Sequence, residues 1–276
     1  MNDIRLIAMD LDGTLLQRDN SILPETLEAL KAAGQQGVSI ALASGRYAEN
    51  AGLTLIDHNL SGCVIGANGG VIQDAPMGQT LYLHTIKRET AETVRACLDE
   101  MKARYIIFSY KLVATSEVGM SHRSEISDGH RIAQLGKVRF GHGRDAVDEA
   151  LQHGICKFFI PDQPGLAQFG TQLRKIPGLL ITRSNESNIE LMPEGIHKGH
   201  GIAELAFWLR IPLTSVMAFG DEENDLPMLR SVGYGFAMGN APGHIKQQCS
   251  YTTDRFDENG IAHAIEKYVL SGETGK

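Results

Sequence analysis

Apolar and polar positions along this chain come in blocks whose period changes from strand-like to helical. Leu6–Met9 is a short unbroken apolar run, the pattern of a strand buried on both faces. The next block, "SILPETLEALKAAGQQG", puts Leu27, Leu30 and Ala33 on one helical face. Ser21 and Pro24 stand near its start, and Gly34 and Gly37 serve as stops. "VSIALAS" reads as a second strand and "GRYAENAGLTLIDH" as a second helix. "CVIGANGGVIQ" follows as a strand, a turn at Asn68-Gly69-Gly70 and another strand. This βαβ rhythm predicts an α/β fold with a doubly wound, Rossmann-like parallel sheet.

The pattern changes near residue 84. "RETAETVRACLDEMKAR" is an amphipathic helix, with Ala91, Val94, Leu98 and Met101 at helical spacing. Strand-like pieces "YIIFSY", "KLVATS", "KFFIP" and "GLLITR" come next, with a helical "LAQFGTQLRKI" among them. The α/β rhythm then resumes with helix "GHGIAELAFWLR", strand "SVMAFG", helix "DLPMLRSV" and strand "GYGFAM". The prediction is one α/β core, residues 1–83 and 190–276, carrying an inserted α+β cap at 84–189. No internal repeat or low-complexity segment interrupts it.

Composition narrows the class. The chain has 276 residues, of which 42% are hydrophobic, as in an ordinary globular protein. A net charge of −7 without a lysine or arginine block excludes a nucleic-acid surface. Cys63, Cys97, Cys156 and Cys249 are scattered with no Cys-x-x-Cys pair, which argues against a zinc site and a disulfide framework. No apolar run approaches the about 18 residues of a membrane span. Asp10 and Asp12 interrupt the one early apolar stretch, so no signal peptide is expected and the location expected is cytoplasmic. The sequence does not reveal an oligomeric state.

In an open α/β sheet, ligands bind beyond the carboxyl ends of the strands. Three of the expected strands end there in polar groups: Asp10-Leu11-Asp12, Ser44-Gly45-Arg46, and Gly220-Asp221-Glu222-Glu223-Asn224-Asp225. Carboxylates that converge in space repel one another and imply a bound cation, and an all-oxygen ligand set favours magnesium over zinc. A single such aspartate could simply cap the next helix. Rival motifs fail on their letters. An EF-hand loop starting at Asp10 would have Thr14 and Leu15 at its fifth and sixth positions, where an oxygen ligand and glycine are needed. No G-x-x-x-x-G-K-[ST] occurs, and no G-x-G-x-x-G follows the first strand.

"DLDGTLL", "SGR", a lysine ahead of the last third and "GDEENDLPML" together resemble the four motifs of the haloacid dehalogenase superfamily of phosphotransferases. With "AMGNA" at 237–241 and an insertion between the second and third motifs, the chain is similar to the Cof-type sugar-phosphatase branch. The resemblance implies that Asp10 is the nucleophile that forms an aspartyl-phosphate. It makes Asp12 the general acid for the leaving alcohol and then the base for the attacking water. Mg2+ would bind Asp10, the backbone carbonyl of Asp12, and Asp221, with Asp225 behind them holding a metal-bound water or Lys198. Ser44 and the amide of Gly45 would hold a phosphate oxygen, and Lys198 would balance the charge of phosphate and Asp10. Arg46, Asn68 and Asn224 fall on the substrate side. Ser44, Asn224 and Asp225 would also suit as helix caps, Arg46 as an ion pair and Asn68 as a plain turn. His197 and His200 beside Lys198 read as exposed surface.

One position departs from the branch. Relatives often carry asparagine four residues before a glycine in a segment like "TTDRFDENGIA", and here Phe256 stands there, with Asp254 or Asp257 as substitutes for the missing amide. The function implied is a magnesium-dependent phosphatase acting on small phosphorylated metabolites, sugar phosphates first among them. The alternatives are a phosphomutase on hexose phosphates and, from another class, a non-catalytic phosphate-sensing module. His122, Arg123 and Asn185 are candidate leaving-group contacts from the cap.

Overall fold

Leu6, Ile7, Ala8 and Met9 are all fully buried, and alternate side chains of a strand point to opposite faces. Ile7 and Met9 join a core with Leu42, Val64, Met217 and Phe219, closed by Leu30 and Ala33 of helix Pro24–Gln35. Leu6 and Ala8 join a second core with Ala41, Ile65, Ile202 and Leu205, the last two from helix Lys198–Leu209. A strand covered by helices on both sides is what a continuous apolar run dictates. The computed structural model describes residues 3–76, 78–117, 131–132, 138–183 and 187–271. His122, Arg123 and Asn185 lie outside them.

Numbered along the chain, the strands are β1 (Leu6–Met9), β2 (Ser39–Ala43), β3 (Cys63–Gly66), β4 (Val71–Gln73), β5 (Thr80–Leu83), β6 (Ile106–Ser109), β7 (Leu112–Thr115) and β8 (Arg139–His142). They continue as β9 (Ile155–Ile160), β10 (Leu179–Thr182), β11 (Ile189–Pro193), β12 (Val216–Gly220), β13 (Tyr234–Ala237) and β14 (Tyr251–Thr252). The first sheet has the order β14-β13-β12-β1-β2-β3-β4-β5, parallel as far as β3 and antiparallel across β4 and β5. This is the doubly wound α/β sheet expected. From β1 the chain winds outward through β2 and β3, then returns to the other side of β1 as β12, so the strand order reverses between β1 and β12. Crevices at such reversals are where ligands bind.

The second sheet, β10-β11-β9-β6-β7-β8, is antiparallel except where β7 and β8 pair in parallel. Ala91, Val94 and Leu98 of helix Arg88–Glu100 bury against Ile107, Phe158 and Leu191, as their spacing predicts, and Met101 is partly buried at the helix end. The junction expected at 189/190 falls at the start of β11, whose partners β9 and β10 carry the second sheet on to Pro193. Glu190 hides that strand in the letters, because a charge inside an apolar run reads as its end. At the first helix, Leu23 occupies the N-cap and Pro24 opens the turn, while the hydroxyl of Ser21 donates to Asp19. Gly34 lies within that helix, and Gly37, at φ 85°, follows its end.

Candidate active site

The site is assembled at the reversal between β1 and β12. Asp10 follows β1 directly, and its amide donates to the carbonyl of Phe219 in β12, 3.0 Å away. The chain then turns sharply: the Leu11 carbonyl accepts from the amides of Leu15 and Leu16, at 3.0 and 2.8 Å. Gly13 makes this turn with φ 78°, and a Cβ there would stand 2.5 Å from Oδ2 of Asp221. Both the backbone angle and the close approach require glycine. The turn delivers the Thr14 hydroxyl to Oδ1 of Asp221, 2.9 Å away and 207 residues distant in the chain.

Lys198 reaches the same place from the first turn of helix Lys198–Leu209. A Cβ at Gly199 would stand 2.4 Å from the Pro227 carbonyl, so glycine lets this helix end lie against the segment that carries Asp225. The Lys198 ammonium donates to Oδ1 of Asp10 and to Oδ1 of Asp225, each at 2.6 Å. The other Asp225 oxygen accepts from the amides of Asp221 and Glu222, both at 3.0 Å. Asp225 therefore fixes both Lys198 and the Asp221 loop, which fills one of its oxygens and leaves the other with a single donor. Its side chain also closes a capping box with Glu222 around the short turn Glu223–Asp225, but it makes no side-chain cap bond to helix Leu226–Ser231, the one it was weighed to cap.

Three carboxylates in one buried place set the electrostatics. Burial pushes the Asp10 carboxyl well above the ordinary range; Lys198 pulls against it, and Asp225 and Asp221 push further. Burial, then the Asp225 charge, raises Asp221 to about 7. For Lys198, burial favours the neutral amine, but Asp10 and Asp225 outweigh it and hold the ammonium above its usual range.

Oxygens of Asp10, Asp221 and Asp225 lie within 4.8 Å of one another. The residues fit a hard cation. Each Asp221 oxygen has one protein donor, Thr14 on Oδ1 and the Asn240 amide on Oδ2, which leaves lone pairs to ligate. Asp10, Asp221 and Asp225 can thus each turn an oxygen to an ion, Asp225 with the fewest lone pairs to spare. An all-oxygen set of this kind belongs to magnesium or calcium chemistry rather than to zinc.

The structure separates the remaining candidates by partner. Both Asp12 oxygens accept from Arg46, at 3.1 Å to Nε and 2.5 Å to the terminal nitrogen, so Arg46 takes the ion-pair alternative. Arg46 is largely buried in doing so, whereas the Asp12 side chain is 65% exposed. The Ser44 hydroxyl is buried and accepts from the amide of Arg46 at 3.1 Å. Asn68 is buried in a left-handed conformation, φ 53°, and donates to Glu190. Asn224 and Asn68, with Lys198, line one side of a cleft of about 150 Å³, whose other side is Leu180, Ile181 and Met192 of the second sheet. His197, expected on the surface, is half-buried beside this cleft, and its Nδ1 caps the Lys198 helix by accepting from the His200 amide. His200 is likewise only partly exposed, 2.8 Å from the Tyr82 hydroxyl.

Thr14 and Asn240 steady Asp221 and were not singled out from the sequence. The Asn240 amide nitrogen donates to the Gly13 carbonyl at 2.9 Å and to Asp221 at 3.0 Å, and its oxygen accepts from the amide of Phe256. The segment "AMGNA" held the signal. Phe256 meets Asn240 through its backbone amide, its carbonyl accepts from Gln17, and its ring packs against the core. Neither proposed substitute turns to the site: Asp254 pairs with His263 and Asp257 with Arg255.

Residues 7–265 match the haloacid dehalogenase-like hydrolase family, and the chain belongs to it. The 5-amino-6-(5-phospho-D-ribitylamino)uracil phosphatase YcsE of Bacillus subtilis is 30% identical over 270 residues, covering 97% of each chain. An HMP-PP phosphatase of Yersinia pestis is 30% identical over 272 residues, covering 97% of this chain and 96% of that one. Among solved structures, the subclass IIB sugar phosphatase BT4131 superposes with a TM-score of 0.79 at 25% identity, covering 96% of this chain and 98% of the other. The expected superfamily, the α/β core and the hydrolase class all stand.

Proposed function

We propose that this chain is a magnesium-dependent phosphatase that hydrolyses small phosphorylated metabolites through an aspartyl-phosphate on Asp10. The observation that carries the reading is the buried Asp10 carboxylate, held by Lys198 at 2.6 Å on one oxygen, at the mouth of the strand reversal. Relatives named for small phosphorylated substrates, including a sugar phosphatase, support it. Sugar phosphates are the first substrates to try. A cytoplasmic site of action suits such metabolites; among the described residues no helix is long and apolar enough to cross a membrane.

Asp10 attacks the phosphorus, forming an acyl-phosphate bond as the ester P–O bond breaks. Asp12 gives its proton to the departing alkoxide oxygen. A water then attacks the acyl-phosphate, Asp12 takes the proton from it, and Asp10 and phosphate separate. Splitting one displacement into two is what requires two carboxylates. Asp12 has the exposure to carry a proton in and out, and Arg46 holds it in position between the two transfers. Ser44 and the Gly45 amide bind phosphoryl oxygens, while Lys198 offsets the charge that Asp10 and the phosphoryl group bring together. Asp10, the Asp12 carbonyl and Asp221 would hold Mg2+, which supplies charge neutralisation on the phosphoryl group.

The test is release of inorganic phosphate from a panel of phosphorylated metabolites with and without magnesium. Asp10→Asn is expected to lose at least about 1,000-fold in kcat, the scale of removing a nucleophile; near-wild-type turnover would refute the mechanism. Incubation with a hexose 1-phosphate checks the mutase alternative, which would yield the 6-phosphate without free phosphate. Silence across the whole magnesium-containing panel would restore the sensing module.

A further inference from the structure

Lys157 of β9 and Glu190 of β11 form an ion pair at 3.1 Å, and their side chains are only 2% and 3% exposed. A buried pair of this kind stands only when its remaining hydrogen-bonding capacity is met. Here it is met from across the molecule. The Lys157 ammonium donates to the carbonyl of Gly45 and lies 4.7 Å from the ring centre of Phe108. The second Glu190 oxygen accepts from the side-chain amide of Asn68. Two strands of the second sheet thus spend a buried charge pair on the loop that follows β2 in the first.

We infer that Lys157 and Glu190 are positioning residues for the Ser44–Arg46 loop, an inference that rests on the phosphate role proposed for Ser44 and Gly45. The carbonyl of Gly45 and the amide of Arg46 belong to one planar peptide unit. Lys157 holds the oxygen end of that unit, and its nitrogen end donates to the Ser44 hydroxyl at 3.1 Å. Turning the plane would therefore move the hydrogen-bond donor that orients the serine. The neighbouring carbonyls are tied as well, Ser44 to the Asn68 amide at 3.0 Å and Arg46 to the Ala67 amide at 2.8 Å. Asn68, steered by Glu190, also packs on the loop, since a Cβ at Gly45 would lie 3.0 Å from its Oδ1. With all three carbonyls engaged, the loop has one orientation for its hydroxyl and amide donors, and the second sheet sets it. The inserted unit then builds part of the phosphate site besides covering it.

The double variant Lys157→Met/Glu190→Met removes both charges together and leaves no lone buried ion. Measured on the full magnesium-loaded chain, its affinity for inorganic phosphate is expected to fall about tenfold, with a matching rise in KM, while its melting temperature stays close to wild type. Wild-type phosphate affinity and kcat/KM in the folded variant would overturn the inference, whether or not the melting temperature falls. Should the double variant not fold, Glu190→Gln is read the same way, because its amide nitrogen would face a donor on Asn68 or Lys157. Phosphate binding by the wild type is recorded alongside. If the wild type neither binds nor releases phosphate, the functional reading and this one fall together; if only the variants are indifferent, this one falls alone.

Discussion

Gly13 has no tolerable replacement on geometric grounds. Alanine at φ 78° costs about 1–2 kcal/mol for the left-handed conformation, and its methyl would displace Asp221 as well. Gly13→Ala is expected to fold with a lowered melting temperature and to lose at least about tenfold in magnesium affinity, read by titrating activity against magnesium. Asp221 supplies a pH signature. Its folded pKa of about 7 lies above the ordinary 3.8, so the metal-free folded chain carries an extra proton between those values. The stability this group contributes is complete below about pH 4 and is lost as pH rises towards 7. With a chelator present, the melting temperature of wild type minus that of Asp221→Asn should therefore fall from pH 4 to 7; a rise would contradict the assignment. At this scale the placement of Asp10, Asp12 and Asp221 just beyond strand ends was legible, because carboxylates there are costly and conspicuous. Thr14 and Asn240 were not, since a hydroxyl and an amide that steady an aspartate look like any other turn residues until the chain is folded.

Asn240 ties three elements with one side chain: the Gly13 turn after β1, Asp221 after β12 and the Phe256 backbone near the short helix Gly260–Ile265. Asn240→Ala leaves all three in place but without their common post. It should weaken magnesium binding by about 10- to 100-fold, the usual effect of losing an outer partner of a metal ligand, while leaving far-ultraviolet circular dichroism unchanged. Magnesium affinity equal to wild type would show that Thr14 alone steadies Asp221. Elements with a clean period were readable in the letters, as with Ala91, Val94 and Leu98 on one helix face. Those that carry charge inside were not. Glu190 concealed β11, and Arg139 and His142 concealed β8, whose exposed edge position lets polar side chains stand where burial would forbid them.

Across the whole molecule, the two-sheet plan followed from the change of rhythm near residue 84, but which strands cross between neighbours did not. Pairing is a long-range choice, and a single sequence records only which face of each strand is apolar. The finished arrangement places the acidic cluster where no unfolded chain could hold it, so a cation that binds there binds the native state alone. Magnesium at about a hundred times its dissociation constant is expected to add about 2.7 kcal/mol to unfolding stability, seen as a rise in melting temperature that Asp221→Asn abolishes. An equal rise in the variant would move the binding site elsewhere.

The pairing of Leu6 with Val216 and Met9 with Phe219 also has a temporal meaning. During synthesis β1 is made before β2, which follows soon afterwards, but the partner on its other flank is made only after the whole second sheet. A nascent chain that ends before β12 carries Asp10, Asp12 and Ser44 with neither Asp221 nor Asp225 to complete them. The acidic cluster of Asp10, Asp221 and Asp225 therefore forms late, when a strand from the last third pairs beside the first.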